Sequence, residues 1–269
     1  MALVDSALPG ERLTGDELLS CCFEDPDPTA VLATPDGEGV AVVVVRGSTG
    51  FLQLVAVSPA AQGEGRGRLL VEVAQGWAVD AGADEVWVAG ASPFTLWPGI
   101  DVSWTRALCL FEAAGYEPSG AVLGMSCPTS FRQAPPEGID VHRVLDDSEA
   151  TAVLDVVEAS WPSWRQEVAR GIEHGAALVA LDDGGAVVGV ACHSVNRTAV
   201  VGPLGVVTEH RHRGVGGALL SAACYDLRAA GIPDAQFWVS DGIEFLARTA
   251  GASVGRVYRT ARWRSRSAR

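Results

Sequence analysis

One stretch of this chain occurs twice. Residues 57–70 read VSPAAQGEGRGRLL and residues 206–219 read VVTEHRHRGVGGAL. With Gln62 set on Arg211, Gly65 falls on Gly214, Gly67 on Gly216, Leu70 on Leu219 and, further on, Gly82 on Gly231. The offset is constant at 206 minus 57, or 149 residues. Each copy is an apolar strand end, a Gly-rich turn and the opening of an amphipathic helix. A supersecondary unit duplicated at this spacing in 269 residues implies two similar domains of ordinary size. We expect a first domain over 1–130, a linker over 131–138 in the Pro-rich, polar run PTSFRQAPPEG, and a second domain over 139–269.

Between the repeats the pattern is a hairpin, a strand feeding the Gly-rich turn, a helix, a strand, a second helix and a last strand. In the first half the strands are expected at 30–33, 40–46, 51–57, 85–89 and 121–126, with helices after Gly67 and over 105–114. The run VAVVVV is apolar on both sides and belongs inside a sheet. Leu70, Val73, Ala74, Trp77 and Ala81 make the buried stripe of the first long helix, which Gly82 closes. In the second half a helix N-capped by Ser148 and another opened by a capping box at Ser163–Gln166 precede the repeated hairpin. A last strand is expected over 254–260. From Trp87 to Gly115 is 28 residues and from Trp238 to Gly251 is 13, so the first copy carries an added loop, SPFTLWPGIDVSW. Its apolar and aromatic content suits the wall of a cavity.

Composition removes several classes of function. All 20 basic residues are arginine, so chemistry that needs lysine is excluded. The formal charge of −13 argues against nucleic acid and anionic membranes as partners. Up to Ala134, 6 arginines face 17 acids, against 14 and 16 from Pro135 on, and such an acidic surface attracts small cations. The six cysteines lack metal-type spacing and read as reduced core thiols, and no His or Cys cluster calls for a metal. No apolar run reaches the roughly 18 residues of a membrane span, and the N-terminus lacks signal-peptide character, so a cytoplasmic location is expected.

A turn of successive backbone N–H groups that opens a helix makes an anion site. A P-loop is excluded because it requires lysine. The dinucleotide fingerprint fails because Arg68 and Leu219 occupy its third glycine position. What remains is [Q/R]-x-x-G-x-G between strand and helix: Gln62, Gly65 and Gly67, then Arg211, Gly214 and Gly216. With the hairpin before it and the A-A-G-Y ending at Tyr116, the chain resembles a tandem member of the GCN5-related N-acetyltransferase superfamily. That resemblance implies an α/β (α+β) fold of two tandem domains, each a central mixed, mainly antiparallel sheet flanked by helices. It also implies acetyl-coenzyme A, or another acyl-coenzyme A, as co-substrate, no metal, and a small amine-bearing acceptor.

By the same resemblance the pyrophosphate would be held at Gln62, Gly63, Gly65, Arg66, Gly67 and Arg68, and at Arg211, His212, Gly214, Val215, Gly216 and Gly217. The pantetheine arm would run along Val55 and Val57, and along Leu204 and Val206. Trp97, Pro98, Gly99, Trp161 and Trp164 are the candidate walls of the acceptor pockets. Many family members use a tyrosine as the acid; here Phe111 takes that place in the first copy, and Leu246 or Ala247 in the second. Asp101, Glu209, Ser240 and Asp241 are the remaining candidates for proton transfer. The expected activity is N-acetyl transfer, carried out by both domains or by only one of them. The alternative is a module that binds or senses acyl-coenzyme A without transfer.

Overall fold

A computed structural model describes residues 1–265 apart from Ala89 and Ala91. In chain order its elements are helices α1 (Ala2–Ala7) and α2 (Gly15–Phe23), strands β1 (Thr29–Ala33), β2 (Gly39–Arg46) and β3 (Thr49–Val57), and helix α3 (Arg66–Asp80). Strands β4 (Glu85–Val88) and β5 (Ile100–Asp101), helix α4 (Thr105–Ala113) and strands β6 (Glu117–Pro128) and β7 (Ile139–Arg143) follow. Then come helices α5 (Asp147–Ser160) and α6 (Arg165–Glu173), strands β8 (Ala177–Asp182), β9 (Val187–His193) and β10 (Val201–Val206), and helix α7 (Val215–Ala229). Strand β11 (Asp234–Val239), helix α8 (Ile243–Ala250) and strand β12 (Ser253–Arg264) complete the chain. The residues form two compact units, Met1–Val122 with those from Arg256 on, and Leu123–Gly255.

In unit 1, β1, β2 and β3 are an antiparallel meander, β4 joins β3 in parallel, and β12 pairs antiparallel with β4. Val42, Val43 and Val44 are all nearly inaccessible, as a strand covered on both faces requires. Helix α3 lays Leu70, Val71, Ala74 and Ala78 on Ala41, Val43, Val45 and Leu52. The buried stripe is therefore rotated from the expected one, and Val73 is exposed. The alanines on the true face carry little hydrophobic signal, whereas Val73 carries much.

Unit 2 repeats the plan. Strands β10, β9, β8 and β7 form an antiparallel sheet, β11 pairs antiparallel with the 123–128 part of β6, and Val200 bridges Gln236 in parallel. Helix α7 packs on one side through Leu219, Leu220, Ala223 and Leu227, while α5 and α6 cover another core through Val153, Val157 and Val168. Both units are thus mixed, mainly antiparallel sheets flanked by helices.

The strands that close the two sheets differ from the simple repeat. The final strand expected over 254–260 runs on to Arg264 and pairs instead with β5, Tyr258 opposite Asp101, and with β4, Ala261 opposite Val88 and Trp263 opposite Val86. The β6 residues that pair with β11 belong to unit 2. An alternating strand carries no mark of which sheet it will enter, so pattern alone assigns it to its neighbour in sequence.

Helix α2 opens with a capping box, the Thr14 hydroxyl accepting from Glu17 N and Glu17 accepting from Thr14 N. Two helix starts differ from those expected. Asp146, not Ser148, caps α5 by accepting from Glu149 N. The expected box at Ser163 is absent, because Pro162–Trp164 is a short 3-10 turn running into α6. The expected strand end at Ala89 lies outside the described residues.

His142 illustrates the electrostatics of unit 2. Partial burial opposes its charge, but ion pairs to Glu149 (2.8 Å) and Asp140 (3.0 Å) outweigh this and raise its pKa above 6.5. The ion pairs add stability that is complete below about pH 6.5 and is lost as pH rises through the higher folded value. Urea titrations at pH 5.5 and 8.5 are expected to differ by under ~1 kcal/mol from this source, and His142→Gln to remove the difference.

Candidate functional site

Strand β3 and the turn after it build the first site. Among the described residues its parallel pairing with β4 stops after Phe51 and Trp87, and none of them pairs with residues 52–57 on that side. Past Val57 the chain makes a short 3-10 turn, Pro59–Ala61, and two left-handed glycines, Gly63 (φ +87°) and Gly65 (φ +84°), before α3 starts. Gly65 is the N-cap, and around both glycines the space a Cβ would occupy is open. Only glycine takes this backbone cheaply, and it leaves the N–H groups at the helix start facing outward.

The second turn reproduces this geometry. His212 (φ +60°) stands at the place of Gly63, and Gly214 (φ +93°) at that of Gly65. The leading motif residues also act alike. Gln62 donates through Nε2 to Val57 O (3.0 Å), and Arg211 through Nε to Val206 O (2.9 Å). Each side chain ties the turn back to the strand before it, a role that explains why either residue type serves.

The surroundings of the two turns are different. In unit 1 a cleft of about 930 Å³ runs along β3 from Leu52 to Val57 and on to Gln62, Gly63, Gly65, Gly67 and Arg68. Its other walls are residues 7–9, Trp97, Gly99, Trp104 and the face of α4 bearing Arg106, Leu110 and Phe111. In unit 2 the chain's own side chains lie on the corresponding backbone. Stacked Trp161 and Trp164, 5.2 Å apart, come within 2.8 Å of where a Gly205 Cβ would stand. Phe245 packs on Gly216 as Leu110 does on Gly67, but the Gln133 carboxamide covers Gly217 and donates to Gly214 O (2.8 Å). Gly217 takes the position that Arg68 holds in the first copy, and Gln133 fills the space this leaves.

The charges beside the first turn are mostly engaged. Arg66 pairs with Asp36 (3.0 Å) and Glu64 (3.2 Å), and Arg68 with Glu72 (2.7 Å). Arg106 of α4, which the motif did not disclose, lines the cleft and donates to the Gln62 side-chain Oε1 (2.7 Å). Nothing in the sequence near Arg106 distinguishes it from a solvated helix residue. Its role comes from the tertiary approach of α4 to the turn.

Asp101 lies 3% exposed in β5. It accepts from Ser103 N (2.8 Å) and pairs with Arg256 Nε (2.6 Å), which also pairs with Glu11. Burial works against the Asp101 charge, but the Ser103 hydrogen bonds and Arg256 prevail and hold its pKa below the ordinary value. That environment suits an anchor of the β5–β12 pairing and opposes service as a base at neutral pH. Trp97 Nε1 donates to Glu11 (3.1 Å) and the ring meets Trp104 edge-on at 6.0 Å, so this cluster fixes a wall of the cleft. Pro98 is buried in the same loop, and Gly99 has to be glycine because a Cβ would meet Arg259 O at 2.7 Å. Glu209, Ser240 and Asp241 are exposed. Leu204 and Val206 lie in β10, and Val215 is the first residue of α7. Phe111 lies edge-on to Tyr116 at 5.2 Å.

A strand that parts from its parallel neighbour, followed by a glycine turn at a helix start and present twice, defines a tandem protein of the acetyltransferase fold. The acetyltransferase (GNAT) family model matches residues 5–94 and 142–251, and the chain belongs to that family. No curated protein sequence matches it. Among solved structures it is similar to a glucosamine N-acetyltransferase region of a fungal multi-domain β-N-acetylglucosaminidase, at TM-score 0.78 and 20% identity over 97% of this chain. The chain spans 36% of that longer protein. It is similar over 98% of its length to an N-acetyltransferase of the family from Sphaerobacter thermophilus (TM-score 0.72, 22% identity, 90% of that chain). A tandem GNAT protein from the clavulanic acid biosynthesis pathway gives TM-score 0.72 at 16% identity, over 98% of this chain and 92% of that one. At these identities the likenesses establish the fold.

No helix among the described residues is long and apolar enough to cross a membrane, and no group of three or more His, Cys, Asp or Glu side chains among them is placed to hold a metal ion. The six cysteines are free thiols, Cys109 exposed and the others buried.

Proposed function

We propose that this protein is an acetyl-coenzyme A dependent N-acetyltransferase for small amine-bearing acceptors, and that unit 1 holds the working site. The observation that carries this is the contrast between the turns: the first opens on a 930 Å³ cleft, while Trp161, Trp164 and Gln133 pack on the second, beside which a smaller cavity of about 320 Å³ is lined by His210, Arg213 and Val215. The residues of unit 1 fit the co-substrate. Backbone N–H groups of Gly63, Gly65 and Gly67 would bind its pyrophosphate, with Arg68 and Arg106 adding charge. The unpaired backbone edge at Val55 and Val57 would bind its amide-bearing arm, and Trp97 and Trp104 exclude water beside it. Bound there, acetyl-coenzyme A supplies an activated thioester.

The acceptor amine has to be uncharged to attack. Among the described residues lining the cleft there is no Asp, Glu, His or Tyr. We therefore expect kcat/KM to rise with pH along the acceptor's own amine titration, without an inflection between pH 6 and 7. The test is coenzyme A thiol release across a panel of small amines at pH 6 to 9.5, alongside calorimetry with acetyl-coenzyme A. Release with at least one amine supports the proposal. Binding without release from any amine would favour the second reading, acyl-coenzyme A sensing, to which the missing acid–base residues also point.

A further inference from the structure

Gln53 occupies an unusual place in the first cleft. Opposite β2, Leu54 pairs with Val42 and Leu52 with Val43, so Gln53 is the extra residue of a β-bulge. It is 7% exposed and lines the cleft, yet neither Oε1 nor Nε2 has a hydrogen-bond partner. Its strand neighbours in the cleft, Leu52, Leu54, Val55, Ala56 and Val57, are all apolar. A buried carboxamide left unmet is costly, and a bulge is a means of turning one side chain off the alternation of a strand. A ligand group that pairs with both ends of the amide removes that cost.

We propose that Gln53 selects the acceptor, and that it fits an amine whose neighbouring group both donates and accepts a hydrogen bond, a hydroxyl or an amide. The inference rests on unit 1 being the working site. Along β3, Gln53 stands four residues before Val57, about 13 Å from where the anion-binding turn begins, and so away from the phosphates. The ligand group is neutral because no carboxylate lines the cleft and its two arginines stand at the turn and on α4. The carboxamide offers one acceptor and two donors, which a hydroxyl or amide matches and an alkyl group leaves bare.

The test compares the full-length wild type with Gln53→Met, which keeps the length and removes both polar atoms. Calorimetry with acetyl-coenzyme A comes first and is expected to give the same Kd for both within about twofold. Without ligand, the variant is expected to melt roughly 2 to 4 °C higher, because an unmet buried group has gone. Thiol release is then measured for two shape-matched pairs, ethanolamine against propylamine and glycinamide against isobutylamine, as kcat/KM per free amine. The wild type is expected to favour the polar member of each pair at least about tenfold, the size of one buried hydrogen bond, and Gln53→Met to show a ratio near one. No preference, an unchanged preference in the variant, no turnover of any of the four, or a lower melting temperature would overturn the assignment. Equal weakening of acetyl-coenzyme A and coenzyme A by the variant would assign the amide to the co-substrate's arm and overturn it too. A wild type that does not bind acetyl-coenzyme A removes the reading of the cleft, and this with it, before any amine is added.

Discussion

Gly65→Glu is expected to weaken acetyl-coenzyme A binding at least about a hundredfold, and Gly214→Glu to leave it within about twofold of wild type. Gly65 sits at φ +84° as the N-cap of α3, with open space where its Cβ would be. A glutamate there pays for a left-handed backbone and sets a carboxylate where the helix start would meet phosphate. Gly65→Ala separates the two effects. Its methyl meets no other atom, so it keeps only the backbone strain, worth about 1–2 kcal/mol, and part of the affinity should survive. Gly214 has the same backbone, but the Gln133 amide already stands 3.2 Å from its absent Cβ. Substitution there is expected to lower the melting temperature and spare the affinity. Calorimetry and a thermal melt on the three variants give the answer.

The fragment 1–130, cut at the boundary the repeat suggests, is expected neither to unfold cooperatively nor to bind acetyl-coenzyme A. It lacks β12, which pairs with β4 and with β5. With β12 go Tyr258 and Ala261, both nearly inaccessible, and Trp263, which packs on the core of α3. Each large buried side chain is worth roughly 1.5–3 kcal/mol, against a total stability of only about 5–15 kcal/mol for a domain. The Arg256 pairs to Asp101 and Glu11, which hold the Trp97 wall, are lost as well. Supplying residues 253–269 in trans, as a synthetic peptide, is expected to restore part of the near-UV circular dichroism. A fragment that binds like the intact chain would show that β12 is dispensable to unit 1.

The duplicated turn was legible because glycine at a left-handed position leaves a mark in sequence: Gly63, Gly65 and Gly214 have no cheap substitute. His212 is the exception, and only the alignment of the copies places it at φ +60°. The hairpins were legible because apolar runs ended at turn residues. The exchange of closing strands was not, since β6 and β12 alternate alike whichever sheet receives them. The asymmetry of the sites was hidden for a related reason. Gln133 and the Trp161–Trp164 pair are distant in sequence from the glycines they cover. Gln53 did leave a trace, a single amide inside the apolar strand FLQLVAV, but its meaning depends on the bulge. Asp101 shows the opposite case: in sequence it is a carboxylate in an aromatic loop, and its pairing with Arg256, 155 residues later, comes only with the fold.

In the proposed function one turn of the two binds the co-substrate. Isothermal titration of the intact protein with acetyl-coenzyme A tests this most directly, with one molecule per chain expected, lost on Gly65→Glu and kept on Gly214→Glu. Two sites per chain, no binding, or a single site lost only on Gly214→Glu would contradict it.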